Sequence, residues 1–166
     1  MESLITVFTA KLAGFLSKEA VIFIISVLPV LELRGGLIAA SILNVTYLKA
    51  LIICIIGNIL PIPFVLLFIK KIVKWMDTFG PTRKFASFIH KKVEKNKAEI
   101  EKYDFWGLTV FVGIPLPGTG AWTGSIVAGM LEMDMKKSFP AIVLGVLMAS
   151  AIMSFVSYGM LGALIH

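Results

Sequence analysis

Glu32 and Arg34 are the residues best placed to do chemistry, because they stand in an otherwise uncharged apolar run, Ala20–Leu43. Charged side chains at membrane depth are costly and usually line a cavity or a pathway. The guanidinium of Arg34 matches the geometry of a phosphate. The carboxyl of Glu32 could carry a proton, since desolvation favours its neutral form while the arginine favours the charged form. The pair therefore indicates anion binding coupled to proton movement.

The backbone around this pair decides whether both side chains can serve one site. Residues two apart do not share a face of a regular helix. Pro29 and the Gly35-Gly36 pair can break the segment, so that both charges reach one cavity and half-helix N-termini add partial positive charge. In the structural alternative, Glu32 pairs with Arg34 or with freed backbone groups only to hold the segment together.

Composition places these charges in a membrane protein. The 166 residues are 58% hydrophobic, with a mean hydropathy of +0.92, against about 45–50% apolar residues in soluble domains. We expect a single membrane domain and no removable signal peptide. The apolar segments contain no metal-ligand spacing and no nucleophile–base pair, so the sequence predicts neither an enzyme nor a cofactor or metal site.

The first part of the chain contains three predicted segments. Ser3–Phe15 is too short to span and predicts an interfacial or packing helix. Ala20–Leu43 either crosses the bilayer once or dips in and returns as two half-helices, and its length does not decide between them. Tyr47–Ile69 predicts a spanning helix kinked at Pro61. Asn58, near that kink, is either a polar bridge to another helix or a substrate contact.

A basic linker follows at residues 70–104, with ten basic and five acidic side chains. Its Thr82–Tyr103 part has one apolar face and predicts an amphipathic helix on the inner leaflet. A basic cluster beside membrane segments indicates a cytoplasmic loop near anionic lipids. Nucleic acid is not expected as a partner, because the charges are of mixed sign and no binding motif is present.

Phe105–Met130 repeats the organisation of the first broken segment. Its centre, GIPLPGTGAWTG, excludes a regular helix. The residues expected to shape it are Pro115, Pro117, Gly118, Gly120 and Gly124. Thr119, Trp122 and Thr123 could supply hydroxyls and an aromatic wall to a binding site. Phe139–Ile165 then predicts a second spanning helix.

The two halves, residues 1–69 and 105–166, thus predict an all-α fold of two inverted repeats joined by the linker. Each repeat would be a re-entrant hairpin followed by a long transmembrane helix. Paired interrupted apolar segments are the best sequence indication of a transporter's site. If both segments span instead, the distribution of basic residues barely distinguishes the two topologies. The density of Pro and Gly in the second segment favours re-entrant hairpins.

The motifs ELRGG (Glu32–Gly36) and PLPGTGAWTG (Pro115–Gly124) together resemble the small multidrug export proteins, which are distantly similar to DedA or VTT-domain membrane proteins. The resemblance implies two opposed re-entrant hairpins in a bacterial or archaeal plasma membrane. For DedA-like members it also implies movement of lipid carriers such as undecaprenyl phosphate. One departure is that the second motif here has no charged residue. Arg34, in the first motif, is therefore the only strong anion binder of the two motifs together.

We therefore predict a transporter that moves an anionic lipid carrier, such as a polyprenyl phosphate, across the bilayer. Arg34 would bind the anion and Glu32 would couple protons, with Gly35, Gly36, Asn58, Thr119, Trp122 and Thr123 in the site. Membrane lipids, protons and further copies of the chain are the expected partners. The alternatives are a proton-driven exporter of small molecules and a scramblase-like or structural membrane protein without coupling.

Overall fold

The computed structural model describes residues 6–7, 9, 16–116 and 118–155, and within these ranges all regular structure is helical. Its seven helices are α1 (Lys18–Val27), α2 (Glu32–Ile42), α3 (Tyr47–Ile59), α4 (Ile62–Thr78), α5 (Arg83–Gly113), α6 (Ala121–Met130) and α7 (Met135–Ser154). The all-helical prediction is confirmed for these residues. Most of the predicted Ser3–Phe15 helix, and the end of the predicted segment Phe139–Ile165, lie outside the described residues.

The chain divides into two compact units, residues 1–60 with 146–166 and residues 61–145. In the first unit, α1 and α2 form a helical hairpin. The Lys18 amine, at the start of α1, donates a hydrogen bond to the carbonyl oxygen of Leu43, just after α2, over 2.9 Å. Val21 and Ile25 of α1 share an apolar core with Ala39 of α2. The Ala20–Leu43 segment therefore folds back on itself.

Helix α3 packs against both arms of this hairpin. Its first turn is tied to α1 by an ion pair between Lys49 and Glu19, 2.7 Å long. The hydrogen bond from the Lys49 ammonium is the main reason that the pKa of the Glu19 carboxyl lies below its ordinary value. Deeper in the unit, the backbone of Gly57 in α3 approaches Phe23 of α1, whose carbonyl oxygen would lie 3.1 Å from a β-carbon on Gly57.

The predicted spanning segment Tyr47–Ile69 differs from the structure at its end. The helical stretch is broken only at Leu60 and Pro61, and it continues past Ile69 to Thr78. Its 32 residues are long and apolar enough to cross a membrane, as are the 20 residues of Met135–Ser154. The helix breaks at Pro61 because proline has no N–H to donate to the carbonyl four residues earlier. Basic residues beginning at Lys70 do not end the helix, because lysine has a good helix propensity.

In the second unit, α4, α5 and α6 pack against one another. Helix α5 changes direction sharply at Asp104, whose backbone has φ 45° and ψ −114°. The Lys92 amine lies against Gly118, so the parts of α5 before and after Asp104 run side by side. The Asp104 carboxylate is paired with Lys137 at 3.0 Å. Residues 114–120 then separate α5 from α6, as the motif predicts.

The turns after α2 and α6 have the same geometry. Asn44 and Glu132 both have left-handed backbones, with φ 53° and 54°. The N–H of Val45 bonds to the carbonyl of Ala40, and that of Met133 bonds to the carbonyl of Ala128, each over 3.0 Å. These are the bonds of a Schellman helix end. Both units thus have the order helix, break, helix, turn, helix.

Candidate functional site

The break between α1 and α2 has a strained backbone. Val30 and Glu32 have φ values of 81° and 50°, a region that side chains other than glycine rarely adopt. Such strain costs of order 1–3 kcal/mol per residue and concentrates at functional sites. Helix α2 begins at Glu32, whose N–H still bonds to the carbonyl of Leu28 over 3.0 Å. The predicted break at Pro29 is therefore present, whereas Gly35 and Gly36 lie inside α2 and do not break it.

The two glycines have a packing role instead. A β-carbon on Gly35 would lie 2.9 Å from the β-carbon of Leu31. One on Gly36 would meet the Ser26 hydroxyl and would lie 2.7 Å from the sulfur of Cys54. Because neither position has room for a side chain, α2 can approach α1 and α3 closely. The Gly-Gly pair thereby holds the start of α2, with Glu32 and Arg34, against the rest of the first unit.

Glu32 is buried, with 5% of its surface exposed, and Arg34 is partly buried. The Glu32 carboxylate attracts the Arg34 guanidinium electrostatically. An ionised carboxylate is expensive to bury without compensation. The structure therefore places a buried carboxyl group and a partly buried guanidinium group together at the start of α2.

Asn58 lies at the same level as Glu32. Helices α2 and α3 are joined by a short turn and meet where Gly36 faces Cys54. Asn58 follows Cys54 by four residues, and Glu32 precedes Gly36 by four, so the antiparallel register places them side by side along the helices. Asn58 is 2% exposed, and its Oδ1 has no hydrogen-bond partner within the described part of the chain. A buried unpaired acceptor costs about 1–3 kcal/mol, so this atom is suited to accept a hydrogen bond from a bound molecule.

The break of the second unit is organised by Thr119. Its hydroxyl lies 2.8 Å from the carbonyl oxygens of both Ile114 and Leu116, which share its one proton, and it accepts the N–H of Leu116 at 3.2 Å. Gly118 and Gly120 have φ values of 84° and 120°, which L side chains rarely adopt. The Thr119 hydroxyl thus closes the loop, a role that the sequence did not indicate. Pro115 lies in this loop and Pro117 lies outside the described residues.

Trp122 and Thr123 lie in the first turn of α6 and are partly buried. Gly124 follows them, and a β-carbon there would lie 2.5 Å from Val112 of α5. The predicted site residues therefore divide into two sets. Glu32, Arg34, Gly35, Gly36 and Asn58 are in the first unit, and Pro115, Gly118, Thr119, Gly120, Trp122, Thr123 and Gly124 are in the second.

Sequence reasoning missed Ser26 and Cys54, which face Gly36, and a second glycine in each unit. Gly57 of α3 packs on Ser26, and Gly145 of α7 packs on Val112. A β-carbon added to Gly145 would lie 2.6 Å from the β-carbon of Val112. The available signal was the spacing, since Gly57 follows Gly36 by 21 residues and Gly145 follows Gly124 by the same number. Among the described residues, no three His, Cys, Asp or Glu side chains are grouped to hold a metal ion.

Comparison with known proteins gives one match. No curated protein and no solved structure matches the chain. A model of the family described as "Putative small multi-drug export protein" matches residues 32–152. The match begins at Glu32, the first residue of α2, includes the break between α5 and α6 and covers most of the chain, so the chain belongs to the small multi-drug export protein family.

Proposed function

We propose that the protein is a membrane transporter that moves an anionic lipid carrier, such as a polyprenyl phosphate, across the bilayer. Arg34 binds the anionic headgroup and Glu32 couples its movement to protons. The family name and the two long apolar helices support transport at a membrane. The observation that favours this substrate is the partly buried Arg34 guanidinium, a cation that can pair with a phosphate, close in sequence to the buried Glu32.

In this proposal the two hairpins are re-entrant and belong to inverted repeats, as in the DedA-like proteins that the motifs resemble. The shared turn geometry and the equal glycine spacing support a duplication. Trp122 and Thr123 stand two and one residues before Gly124, as Arg34 and Gly35 stand before Gly36. The protein would lie in a bacterial or archaeal plasma membrane as a homo-oligomer, with the basic linker in the cytoplasm.

Glu32→Gln is expected to remove most of the dependence of transport on a pH gradient. Glutamine keeps the shape of the side chain but cannot release a proton, so the coupling group is lost while Arg34 remains. Proteoliposomes with and without an imposed pH gradient measure the effect. Glu94→Gln is the matched control, because Glu94 is exposed on α5. An E32Q variant with wild-type pH dependence would exclude Glu32 as the coupling group.

Proton-driven export of small organic molecules is the second candidate, and the family description favours it. In this second function the transported molecule would be a neutral or cationic drug, which the Arg34 guanidinium would not attract. Competition assays distinguish the two, because lipid phosphates inhibit transport only if the headgroup occupies the site. A scramblase-like protein would instead move lipid equally with and without the gradient.

A further inference from the structure

The second unit contains a groove of about 780 Å³ where α5 doubles back at Asp104. Asn96 and Ile100 line one wall, and Trp106 and Val110 line the other. The loop before α6 closes one end of the groove with Leu116 and Thr119. This volume lies within the range of about 300–1,000 Å³ that is usual for small-molecule sites. All of its lining residues belong to the second unit, so the groove is separate from the Glu32–Arg34 pair.

The groove has an apolar length and a cationic end. Val110, Ile114 and Leu116 line it and are exposed, by 44%, 40% and 55%. At the other end the Lys102 ammonium lies 5.0 Å from the centre of the Tyr103 ring, and Trp106 is 64% exposed. Lysine, tyrosine and tryptophan together are typical of the headgroup level of a membrane.

The charge of the groove is of one sign. Among the lining residues that the structure describes, Lys102 is the one ionised side chain. The nearby Asp104 carboxylate is paired with Lys137 at 3.0 Å. The groove therefore suits a ligand that is anionic at one end and apolar along its length.

We propose that the groove binds one anionic membrane phospholipid as a site separate from the transport site. Its phosphate would lie against Lys102, beside Tyr103 and Trp106, and one acyl chain would follow Val110, Ile114 and Leu116. Free phosphate would leave the apolar wall uncovered, and a zwitterionic lipid would bring a second cation to Lys102. The proposal does not depend on Arg34 or Glu32.

Tryptophan fluorescence tests this site, because the chain has three tryptophans and one of them, Trp106, lines the groove. The Trp75→Phe/Trp122→Phe variant of the full chain leaves Trp106 alone. It is reconstituted in phosphatidylcholine vesicles that contain a small, equal fraction of bromine-labelled phosphatidylglycerol or bromine-labelled phosphatidylcholine. We expect the anionic labelled lipid to quench Trp106 at least twofold more than the zwitterionic one.

Two substitutions in the groove and two controls locate the effect. Lys102→Gln should remove the preference for the anionic lipid, whereas Lys91→Gln, the same charge change at an exposed position of α5 outside the groove, should retain it. Gly107→Leu, which adds a side chain to the groove wall, should reduce quenching by both lipids. Arg34→Lys in the same background should leave the quenching of Trp106 unchanged. The lipid site is therefore tested independently of the transport proposal.

Three results would overturn the proposal. The first is equal quenching by the two labelled lipids. The second is an equal effect of Lys102→Gln and Lys91→Gln, which would indicate general surface charge rather than a groove. The third is loss of the preference on adding millimolar inorganic phosphate at constant ionic strength, which would indicate a site for free phosphate.

Discussion

Arg34→Lys is expected to slow the movement of a labelled polyprenyl phosphate across vesicle membranes by about 10- to 100-fold. A lysine ammonium keeps the charge but cannot make the paired hydrogen bonds of a guanidinium with phosphate. Hydrogen bonds to charged groups contribute about 1.5–3 kcal/mol each, and about 1.4 kcal/mol corresponds to a factor of ten. Stopped-flow measurement of the accessible label in proteoliposomes gives the rate.

The chain supplies a matched control for this change. Arg83 is its only other arginine and is exposed at the start of α5. Arg83→Lys should transport at the wild-type rate, and both variants should unfold at the wild-type temperature. An Arg34→Lys protein that transports as fast as Arg83→Lys would rule out a phosphate fork at Arg34 and would favour the purely structural role of the Glu32–Arg34 pair.

Gly36→Ala is expected to have the largest effect on stability. The new methyl group would meet the Ser26 hydroxyl and would lie 2.7 Å from the Cys54 sulfur, inside a buried helix contact. Overpacking of this kind costs about 1–3 kcal/mol, which exceeds the gain of about 1 kcal/mol in helix propensity when alanine replaces glycine. Denaturation of the detergent-solubilised protein measures the lowered free energy of unfolding.

A mutant cycle separates this clash from other causes. In a Ser26→Ala/Cys54→Ala background the two clashing atoms are absent, so Gly36→Ala should become neutral or stabilising. Gly80→Ala is the control for glycine replacement as such, because a β-carbon at Gly80 would have no atom within 4 Å. If Gly36→Ala destabilises both backgrounds equally, the close packing of α2 on α1 and α3 is not the reason for the glycine.

Much of the fold was predictable because it depends on local chemistry. Pro29 and the loop at Pro115 and Gly118 mark the two breaks, since proline lacks an N–H and Gly118 has a positive φ. The hairpin of α1 and α2 was not decided by the sequence, because 24 apolar residues suit one crossing as well as two half-helices. It depends on tertiary contacts, such as the bond from Lys18 to Leu43.

The charged residues of the candidate site could be identified from the sequence, but the residues that pack around them could not. Glu32 and Arg34 stand out because charge is rare in apolar segments, and Asn58 because it is polar in one. Gly36 was predicted to be a helix breaker, whereas in the structure it lies inside α2 and contacts Ser26 and Cys54. Nothing local distinguishes these roles, since both need a residue without a side chain. The end of the amphipathic helix at Tyr103 and the new segment from Phe105 were predicted. The reversal between them was not, because the Asp104 backbone, with φ 45° and ψ −114°, lies outside the regions that L-residues usually adopt.

The most direct test of the transport proposal is lipid movement by the wild-type protein in vesicles under a pH gradient. A fluorescent polyprenyl phosphate and a zwitterionic phospholipid with the same label are compared, with protein-free vesicles as the baseline. We predict that the protein moves the lipid phosphate well above the baseline, faster with the gradient than without it, and leaves the zwitterionic lipid near the baseline. Equal movement of both lipids, or no movement of the lipid phosphate, would contradict the proposed function.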